Sequence, residues 1–418
     1  MRNFTFKGQL LTAVFMLLGC LSIQAANDDL ITKQITINLD KAGTLPNKIA
    51  SSEMYKITNL KIIGEINGTD WNMIREMAGR DNRGYGTEGK LSVLDLSEAK
   101  IVKGGDSYYP GDNCYTSNDE IGEKAFTDCS RLTSLTLPVG ITSIGYDAFA
   151  YCSGLTSLTL PAGITSIGEY AFYGCSGLTS LNLPAGITSI DKYAFSGCSG
   201  LTSLTLPDGI TSIGSRAFYG CSGLTSLTLP AGITSIGDDT FYGCSGLTSL
   251  TLPAGITSIG EYAFSRCSGL TSLTLPAGIT SIDKYAFSGC SGLTSLTLPA
   301  GITSIGEFAF SYCSGLTSIY VYAEKVPRIG RYAFEGCASR KCTLYVPKGT
   351  YDNYRLSEFG YFENIVEFDA TGIDKTTTST DVEEVSRYSL NGQRLAVPVK
   401  GLNIVKYSDG TVRKVVVK

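Results

Sequence analysis

A period of 23 residues runs through more than half of this 418-residue chain. Nine phenylalanines recur at that interval from Phe126 to Phe310, and a cysteine follows three residues behind each of them. A tenth copy ends at Phe334 after one inserted residue, and residues 185–207 are identical to residues 277–299. Copies this similar place equivalent residues at equivalent positions in successive turns, so the chain is predicted to stack as a solenoid.

Each unit of the repeat predicts one short strand followed by turns. The pattern Leu155-x-x-Leu158-x-Leu160 fits a strand that ends at Pro161, because proline cannot donate to a ladder. Residues 168–174 are too few for a regular helix and predict turns. One unit cannot fold alone, since the entropy lost by its backbone outweighs the burial of its few apolar side chains, whereas stacked units cover each other. The predicted core of one unit consists of Leu155, Leu158, Leu160, Ile164, Ile167 and Phe172.

The L-x-x-L-x-L signature with a period in the twenties is the leucine-rich-repeat pattern. The recurring core C-x-x-L-T-S-[IL]-x-[IL]-P…I-x-x-I-G-x-x-A-F, found over about residues 120–337, resembles the BspA-type leucine-rich repeats of bacterial surface proteins. The resemblance implies a repeat solenoid of parallel β-strands with turns and irregular structure on its convex side. It also implies adhesion to host extracellular proteins or to other bacteria.

The N-terminus has the features of a secretory signal. Arg2 and Lys7 precede an apolar run from Leu10 to Gly19, and a small-residue cleavage site ends at Ala25. Leu17-Leu-Gly-Cys20 also resembles a bacterial lipobox, in which Cys20 is lipidated and becomes the new N-terminus. Both routes export the protein, and no transmembrane segment is expected in the mature chain.

Both ends of the array are predicted to carry caps, because a bare solenoid end exposes its core. Beyond the array, Tyr388-x-Leu390-x-Gly392 and the segment from Lys400 to Val405 resemble a type IX secretion sorting domain, although Asn403 stands where an aromatic is usual. The alternative is a small accessory β-domain without a sorting role. Six segments are predicted: residues 1–25 as signal peptide, 26–119 as N-terminal cap, 120–343 as repeat array, 344–368 as C-terminal cap, 369–385 as linker and 386–418 as a small β-tail.

Composition argues against catalysis, cofactors and nucleic acid. The chain has no histidine and a net charge of −4, with no basic tract. Carboxylates of the array lie at the variable turn next to solvent, where no apolar surroundings would tune a general acid. Gly84-x-Gly86-x-x-Gly89 matches a dinucleotide fingerprint only in letters, because a helix-like stretch precedes it and a strand follows. The sequence therefore predicts a non-enzymatic protein without a cofactor or metal.

One cysteine per copy predicts a column of single, buried thiols. Stacked equivalents have parallel side chains about 5 Å apart at Cβ, which is beyond the usual range for a disulfide. A line of single sulfurs does not form a tetrahedral metal site either. Cys337 and Cys342 lie just past the regular spacing and are the one candidate disulfide.

Two surfaces are candidates for a ligand, the outward side of the strands and the turn edge, where the copies differ. Serine and threonine dominate the first and tyrosine the second, and tyrosine and arginine are enriched in protein interfaces. On the strands the candidates are Ser157, Thr159, Ser203, Thr205, Ser249 and Thr251. At the turn edge they are Tyr151, Tyr170, Tyr173, Tyr193, Arg216, Tyr219, Tyr242, Tyr262 and Tyr285.

These observations predict an exported surface protein that binds macromolecules through a repetitive, multivalent surface. The expected partner is a protein or glycan on a host or bacterial surface. The alternative is a passive spacer of the cell surface without a specific ligand.

Overall fold

A computed structural model describes residues 29–109, 114–370, 384–388, 394–395, 397, 399–407 and 412–417. The predicted signal peptide, Cys20 and residues 371–383 of the predicted linker lie outside these described residues. Within them, the chain is the predicted solenoid of parallel strands, with about one turn for every 23 residues in the array.

One side of the solenoid is a ladder of parallel strands in which each residue pairs with its equivalent in the next copy. Ser272 pairs with Ser295 and Leu273 with Leu296. Among the described residues this side comprises fourteen strands: β1 Ile35–Leu39, β2 Asn59–Ile66, β3 Val93–Ile101, β5 Ser134–Thr136, β7 Ser157–Thr159, β9 Ser180–Asn182, β11 Ser203–Thr205, β13 Ser226–Thr228, β15 Ser249–Thr251, β17 Ser272–Thr274, β19 Ser295–Leu298, β21 Ser318–Val321, β23 Thr343–Pro347 and β24 Asn364–Phe368.

A second side of the solenoid was not predicted as β-structure. Each copy contributes a two-residue strand here. Its two side chains alternate in direction, so that Ser166 points outward and Ile167 is buried. The sequence predicts only an apolar pair at this place, because two residues carry no visible alternation. These strands are β4 Glu120–Ile121, β6 Ser143–Ile144, β8 Ser166–Ile167, β10 Ser189–Ile190, β12 Ser212–Ile213, β14 Ser235–Ile236, β16 Ser258–Ile259, β18 Ser281–Ile282, β20 Ser304–Ile305 and β22 Arg328–Ile329.

The third side consists of turns, as predicted, and it too is hydrogen-bonded from copy to copy. The backbone N–H groups of Tyr193, Phe195 and Gly197 donate to carbonyls of the next copy at 3.2, 2.9 and 2.7 Å. Backbone polar groups of the turn edge are therefore paired along the array axis, which leaves its side chains to define the surface.

A column of phenylalanines forms the centre of the core. From Phe126 to Phe334 successive rings lie 5.1 to 5.6 Å apart and within 9° of parallel, a spacing that favours offset stacking. The predicted core residues of the unit are buried except Leu160, which is only partly buried.

The N-terminal segment closes one end of this column. Between β2 and β3 lies α2, Gly68–Met77, after the short α1, Leu45–Lys48. Asn67 and Asp70 form a capping box at the start of α2. The indole of Trp71 lies 5.1 Å from the ring of Phe126, and its Nε1 donates to the carbonyl of Ala125 at 2.9 Å.

The C-terminal segment closes the other end. After β23 come α3, Tyr351–Arg355, a 3₁₀ turn, Glu358–Tyr361, and β24. The rings of Phe359 and Phe362 lie 5.5 and 5.3 Å from that of Phe334. The aromatic column therefore ends in aromatic side chains at both ends of the array.

A small antiparallel sheet follows in the tail, as predicted. Its strands are β25 Glu384–Tyr388, β26 Arg394–Leu395, β27 Gly401–Tyr407 and β28 Val412–Val417, in the order β26-β25-β27-β28. The dipeptides Asn391-Gly392 and Asp409-Gly410, which are typical of hairpin turns, lie outside the described residues. Asn403 is 2% exposed, and its side-chain amide forms hydrogen bonds with the backbone of Val399. No helix within the described residues is long and apolar enough to cross a membrane.

Successive layers approach so closely at one recurring glycine of the repeat that a side chain has little room there. A Cβ at Gly200 would overlap the backbone carbonyl oxygen of Ser176 in the preceding copy, whereas at Gly209 the nearest atom is 3.7 Å away. We expect Gly200→Ala to lower the free energy of unfolding by about 2–3 kcal/mol. The matched control Gly209→Ala is expected to change it by less than about 1 kcal/mol. Urea unfolding of both variants checks this, and equal midpoints would contradict the packing described here.

Candidate functional site

The predicted strand surface is exposed but uniform. Ser157, Thr159, Ser203, Thr205, Ser249 and Thr251 all point to solvent beside buried leucines. Neighbouring hydroxyls barely contact each other, as between the Oγ atoms of Ser157 and Ser134 at 3.4 Å. The face therefore offers many similar weak contacts, without a feature that selects a ligand.

This uniform face ends in an aromatic group that the sequence reasoning missed. In register with the threonines, Tyr320 stacks on Tyr345 with ring centroids 4.4 Å apart. Phe368 approaches Tyr320 edge-on at 5.9 Å. The sequence does contain a signal for this group, because Tyr320 and Tyr345 stand where most other copies carry the strand threonine. It also shows that the strand position tolerates a tyrosine.

The turn edge carries a first column of side chains at a strained backbone position. Its members all have a φ between 52° and 58°, in the left-handed region that non-glycine residues rarely adopt. Tyrosine rings dominate this column, and neighbouring rings stack 4.4 Å apart at Tyr170–Tyr193 and 4.6 Å apart at Tyr262–Tyr285. In chain order the first column is Lys124, Asp147, Tyr170, Tyr193, Arg216, Asp239, Tyr262, Tyr285, Phe308 and Tyr332.

Two successive copies interrupt the stacked rings with an ion pair. Arg216 Nε lies 3.1 Å from Asp239 Oδ2, and the guanidinium lies over the ring of Tyr193 at 5.4 Å. Arg216 also donates to the phenol oxygen of Tyr193. That hydrogen bond and the nearby carboxylate raise the pKa of Arg216 above its ordinary value. A fixed donor group and a fixed acceptor group therefore lie side by side between two tyrosine stacks.

A second column runs beside the first, at the residue that follows each core phenylalanine. Here the rings of Tyr219 and Tyr242 stack 4.7 Å apart within 4° of parallel. Tyr173 lies two copies before Tyr219, and Ser196 occupies the copy between them. The second column, in chain order, is Tyr173, Ser196, Tyr219, Tyr242, Ser265, Ser288 and Ser311.

The interruption of the first column and the gap in the second open a single groove of about 540 Å³. Six of the predicted turn-edge residues meet here, while Tyr151 and Tyr170 contact its edge through Tyr173, at 5.2 and 5.5 Å. Tyr285 lies outside it, stacked on Tyr262. The groove is lined by Tyr173, Tyr193, Ser196, Arg216, Tyr219, Asp239, Tyr242 and Tyr262.

The sequence reasoning did not select Ser196 and Asp239 as contact residues. Several other copies carry a tyrosine at the same positions. A comparison of the copies, position by position, would have identified these two residues, whereas the number of aromatic residues does not. Ser196 is 3% exposed and forms a small-residue floor between larger neighbours.

A further position with left-handed backbone lies two residues after each core phenylalanine, and some copies carry a side chain there instead of glycine. Six copies have glycine there, with φ between 68° and 75°. Tyr151 and Arg266 adopt the same conformation with φ of 59° and 61°, at a cost of about 1 kcal/mol relative to glycine. Arg266 lies over the ring of Tyr242 at 5.5 Å. The large side chains at this edge are thus kept despite backbone strain, which favours a functional reason for them.

The cysteine column is buried and free, as predicted, and it has an additional role in hydrogen bonding. Nine thiols donate to the carbonyl of a phenylalanine in the preceding copy, as Cys221 Sγ does to Phe195 at 3.1 Å. Cysteine therefore supplies a small apolar side chain and a weak donor at once.

The predicted bridge between Cys337 and Cys342 is not formed, and both cysteines are free and buried. Cys337 continues the thiol column, because its Sγ donates to the carbonyl of Phe310 at 3.2 Å. We expect thiol titration of denatured, unreduced protein to count the twelve cysteines of the described residues, and native protein to give almost none. A count near zero after denaturation would contradict the free column.

The groove offers aromatic surface and hydrogen bonds rather than reactive groups. Asp239 is held by Arg216, and the described residues contain no group of His, Cys, Asp and Glu that could hold a metal ion. Residues 84–89 lie in the loop between α2 and β3, as the sequence predicts. The arrangement can bind a ligand through aromatic contact and hydrogen bonds.

Comparison with known proteins matches the array to one family model, described as BspA type leucine-rich repeat region, with six copies over residues 119–247 and 211–341. No match is found among curated proteins. Solved structures with similarity include a Treponema pallidum leucine-rich repeat protein, 34% identical, with a TM-score of 0.35 over 37% of this chain and 72% of that chain.

Two further solved structures are also similar to this chain. A Bacteroides ovatus leucine-rich repeat protein is 22% identical, with a TM-score of 0.37 over 68% of this chain and 88% of that chain. A Faecalibacterium prausnitzii leucine-rich cell surface protein is 24% identical, with a TM-score of 0.28 over 64% of this chain and 86% of that chain.

Proposed function

Because this chain belongs to the BspA-type leucine-rich-repeat family, we propose that it is an exported, non-enzymatic surface protein that adheres to macromolecules through its turn edge. The observation that carries the proposal is the groove at this edge. There, copies that are otherwise nearly identical differ, and large side chains occupy strained backbone positions. A protein selected only for length has no use for such departures.

Several features of the surface support binding of an extended partner. Tyrosine and arginine are among the residue types that most often dominate binding energy, and here they are held by stacking and by the Arg216–Asp239 ion pair. Further stacked rings continue from Tyr262 through Tyr285 to Phe308. Several weak contacts along one partner add as avidity, so individual sites need not bind tightly.

The proposal places the protein outside the cell. Residues 1–25 would direct export, either with cleavage near Ala25 or with lipidation of Cys20, and the C-terminal sheet would serve as a type IX sorting domain. Mass spectrometry of the mature N- and C-termini distinguishes these routes. A lipidated Cys20 indicates membrane anchoring, whereas a start after Ala25 indicates release or attachment through the tail.

The test of adhesion is a screen of the purified mature protein against extracellular-matrix proteins and whole bacterial cells. The proposal predicts saturable binding to at least one of them. Binding to none across the panel would favour the alternative, a spacer that displays or separates other surface components.

A further inference from the structure

The second column of the turn edge contains one slot whose dimensions select a ligand. Tyr173, Ser196 and Tyr219 occupy equivalent positions in three successive copies. Since stacked parallel layers repeat about every 4.8 Å, the positions of the two tyrosines lie roughly 10 Å apart along the array, with the buried serine between them. Elsewhere in this column Tyr219 and Tyr242 stack directly, so that no slot remains there.

The width of this slot argues for a puckered ring. Two carbon–carbon contacts of about 3.5–4.0 Å, one against each tyrosine, leave roughly 2 Å for the thickness of the inserted group. A flat aromatic ring or peptide plane adds no thickness of its own, whereas a sugar ring, with its puckered carbons and axial substituents, is thicker and occupies more of that space. The C–H bonds of a sugar also carry partial positive charge, which suits the negative face of an aromatic ring.

The wall of the slot supplies the polar groups that a sugar needs. Arg216 offers N–H donors, Asp239 offers acceptor oxygens, and Ser196 and the tyrosine hydroxyls offer both. Sugar hydroxyls likewise donate and accept, so each finds a partner. The slot is less suited to binding an anion, because the carboxylate of Asp239 lies 3.1 Å from Arg216 and neutralises its charge.

An added peptide strand is not favoured at this edge. The N–H groups of Gly174 and Gly197 donate to the carbonyls of Ser196 and Tyr219 at 2.7 Å, so the backbone here is engaged between layers. Strand addition needs unpaired backbone groups.

We propose that the slot between Tyr173 and Tyr219 binds a neutral hexopyranose unit of a surface glycan. This rests on the proposed function, because it assigns the ligand class of the same turn edge. The sugar lies between the two rings above Ser196, and its hydroxyls hydrogen-bond the Arg216–Asp239 pair.

The chain itself supplies the blocking variant. Tyrosine is accommodated in this column at three other copies, so Ser196→Tyr fills the slot without removing any residue. Ser265→Tyr is the matched control, because Ser265 is as deeply buried and follows Tyr242 outside the slot. Both variants should retain the circular dichroism spectrum and melting temperature of the parent within a few degrees.

The experiment uses an array of defined neutral and acidic oligosaccharides, followed by calorimetry with those retained. We expect neutral hexopyranose oligosaccharides to bind, Ser196→Tyr and Tyr219→Ser to weaken binding at least tenfold, and Ser265→Tyr to leave it unchanged. Retention of no oligosaccharide, retention of acidic ones only, or equal binding by Ser196→Tyr would overturn the proposal. If the protein still adheres to cells or matrix proteins in those cases, only the glycan assignment fails; if it adheres to nothing, the proposed function fails as well.

Discussion

Raising the pH above 9 is expected to destabilise the array steeply, by about 1.4 kcal/mol per pH unit for each of six consecutive buried thiols in the column. Burial raises the pKa of six consecutive thiols and brings that of Cys221 to about 12. In the unfolded chain a thiol ionises near pH 8.5. Unfolding therefore releases protons between these two values, and stability falls as the pH rises. The six thiols are Cys152, Cys175, Cys198, Cys221, Cys244 and Cys267.

The measurement is urea unfolding, followed by circular dichroism, from pH 6 to pH 11. With no histidine in the chain, we expect little change between pH 6 and pH 8 and a loss of about 8 kcal/mol per pH unit above pH 9 if the six copies unfold together. Cys221→Ala is the control, because it should reduce this slope by about 1.4 kcal/mol per pH unit. A flat profile up to pH 10.5 would mean that the thiols ionise in the folded protein.

Shortening one ring of the phenylalanine column is expected to be the most damaging single substitution in the array. Phe218 is fully buried, and its ring lies 5.6 Å from that of Phe195 and 5.4 Å from that of Phe241. Phe218→Ala removes both contacts and leaves a cavity that the rigid ladder cannot close. The expected loss in the free energy of unfolding is about 3–5 kcal/mol.

The adjacent residue provides the control for this substitution. Tyr219 is 37% exposed, and Tyr219→Ser introduces the residue that several copies already carry there, so a loss of no more than about 1 kcal/mol is expected. Hydrogen exchange of the amides around each site separates local from global unfolding, which matters because repeat arrays need not unfold in one step. A loss below 1 kcal/mol for Phe218→Ala would contradict the account of the core.

The sequence predicts the solenoid because its strongest signals are positional. The interval between equivalent phenylalanines predicts how many residues form one layer of the solenoid. The leucine spacing predicts which residues of each unit form the strand. The second strand escapes prediction because Ser166–Ile167 is too short to show alternation. The free thiol of Cys337 was not predicted, because the residue inserted before it breaks the regular interval and obscures its place in the cysteine column.

The candidate site was predicted as a surface but not as a groove. Tyrosines at the turn edge are visible in the sequence, and five of them line the groove together with the predicted Arg216. Which rings stack and which leave a gap depends on the tilt of each side chain and on its neighbour one layer away. Ser196 and Asp239 contribute by being smaller or charged where a ring is expected, and composition alone does not show this.

Ligand binding is expected to reside at the turn edge rather than on the strand face. Both surfaces can be changed with residues that the repeats already use: Tyr219→Ser with Tyr242→Ser at the turn edge, and Thr205→Tyr with Thr251→Tyr on the strands. The most direct measurement is the dissociation constant of each double variant for the cells or matrix protein bound by the parent. We predict at least tenfold weaker binding by the turn-edge variant and unchanged binding by the strand-face variant. The reverse pattern, or equal binding by all three proteins, would contradict the claim.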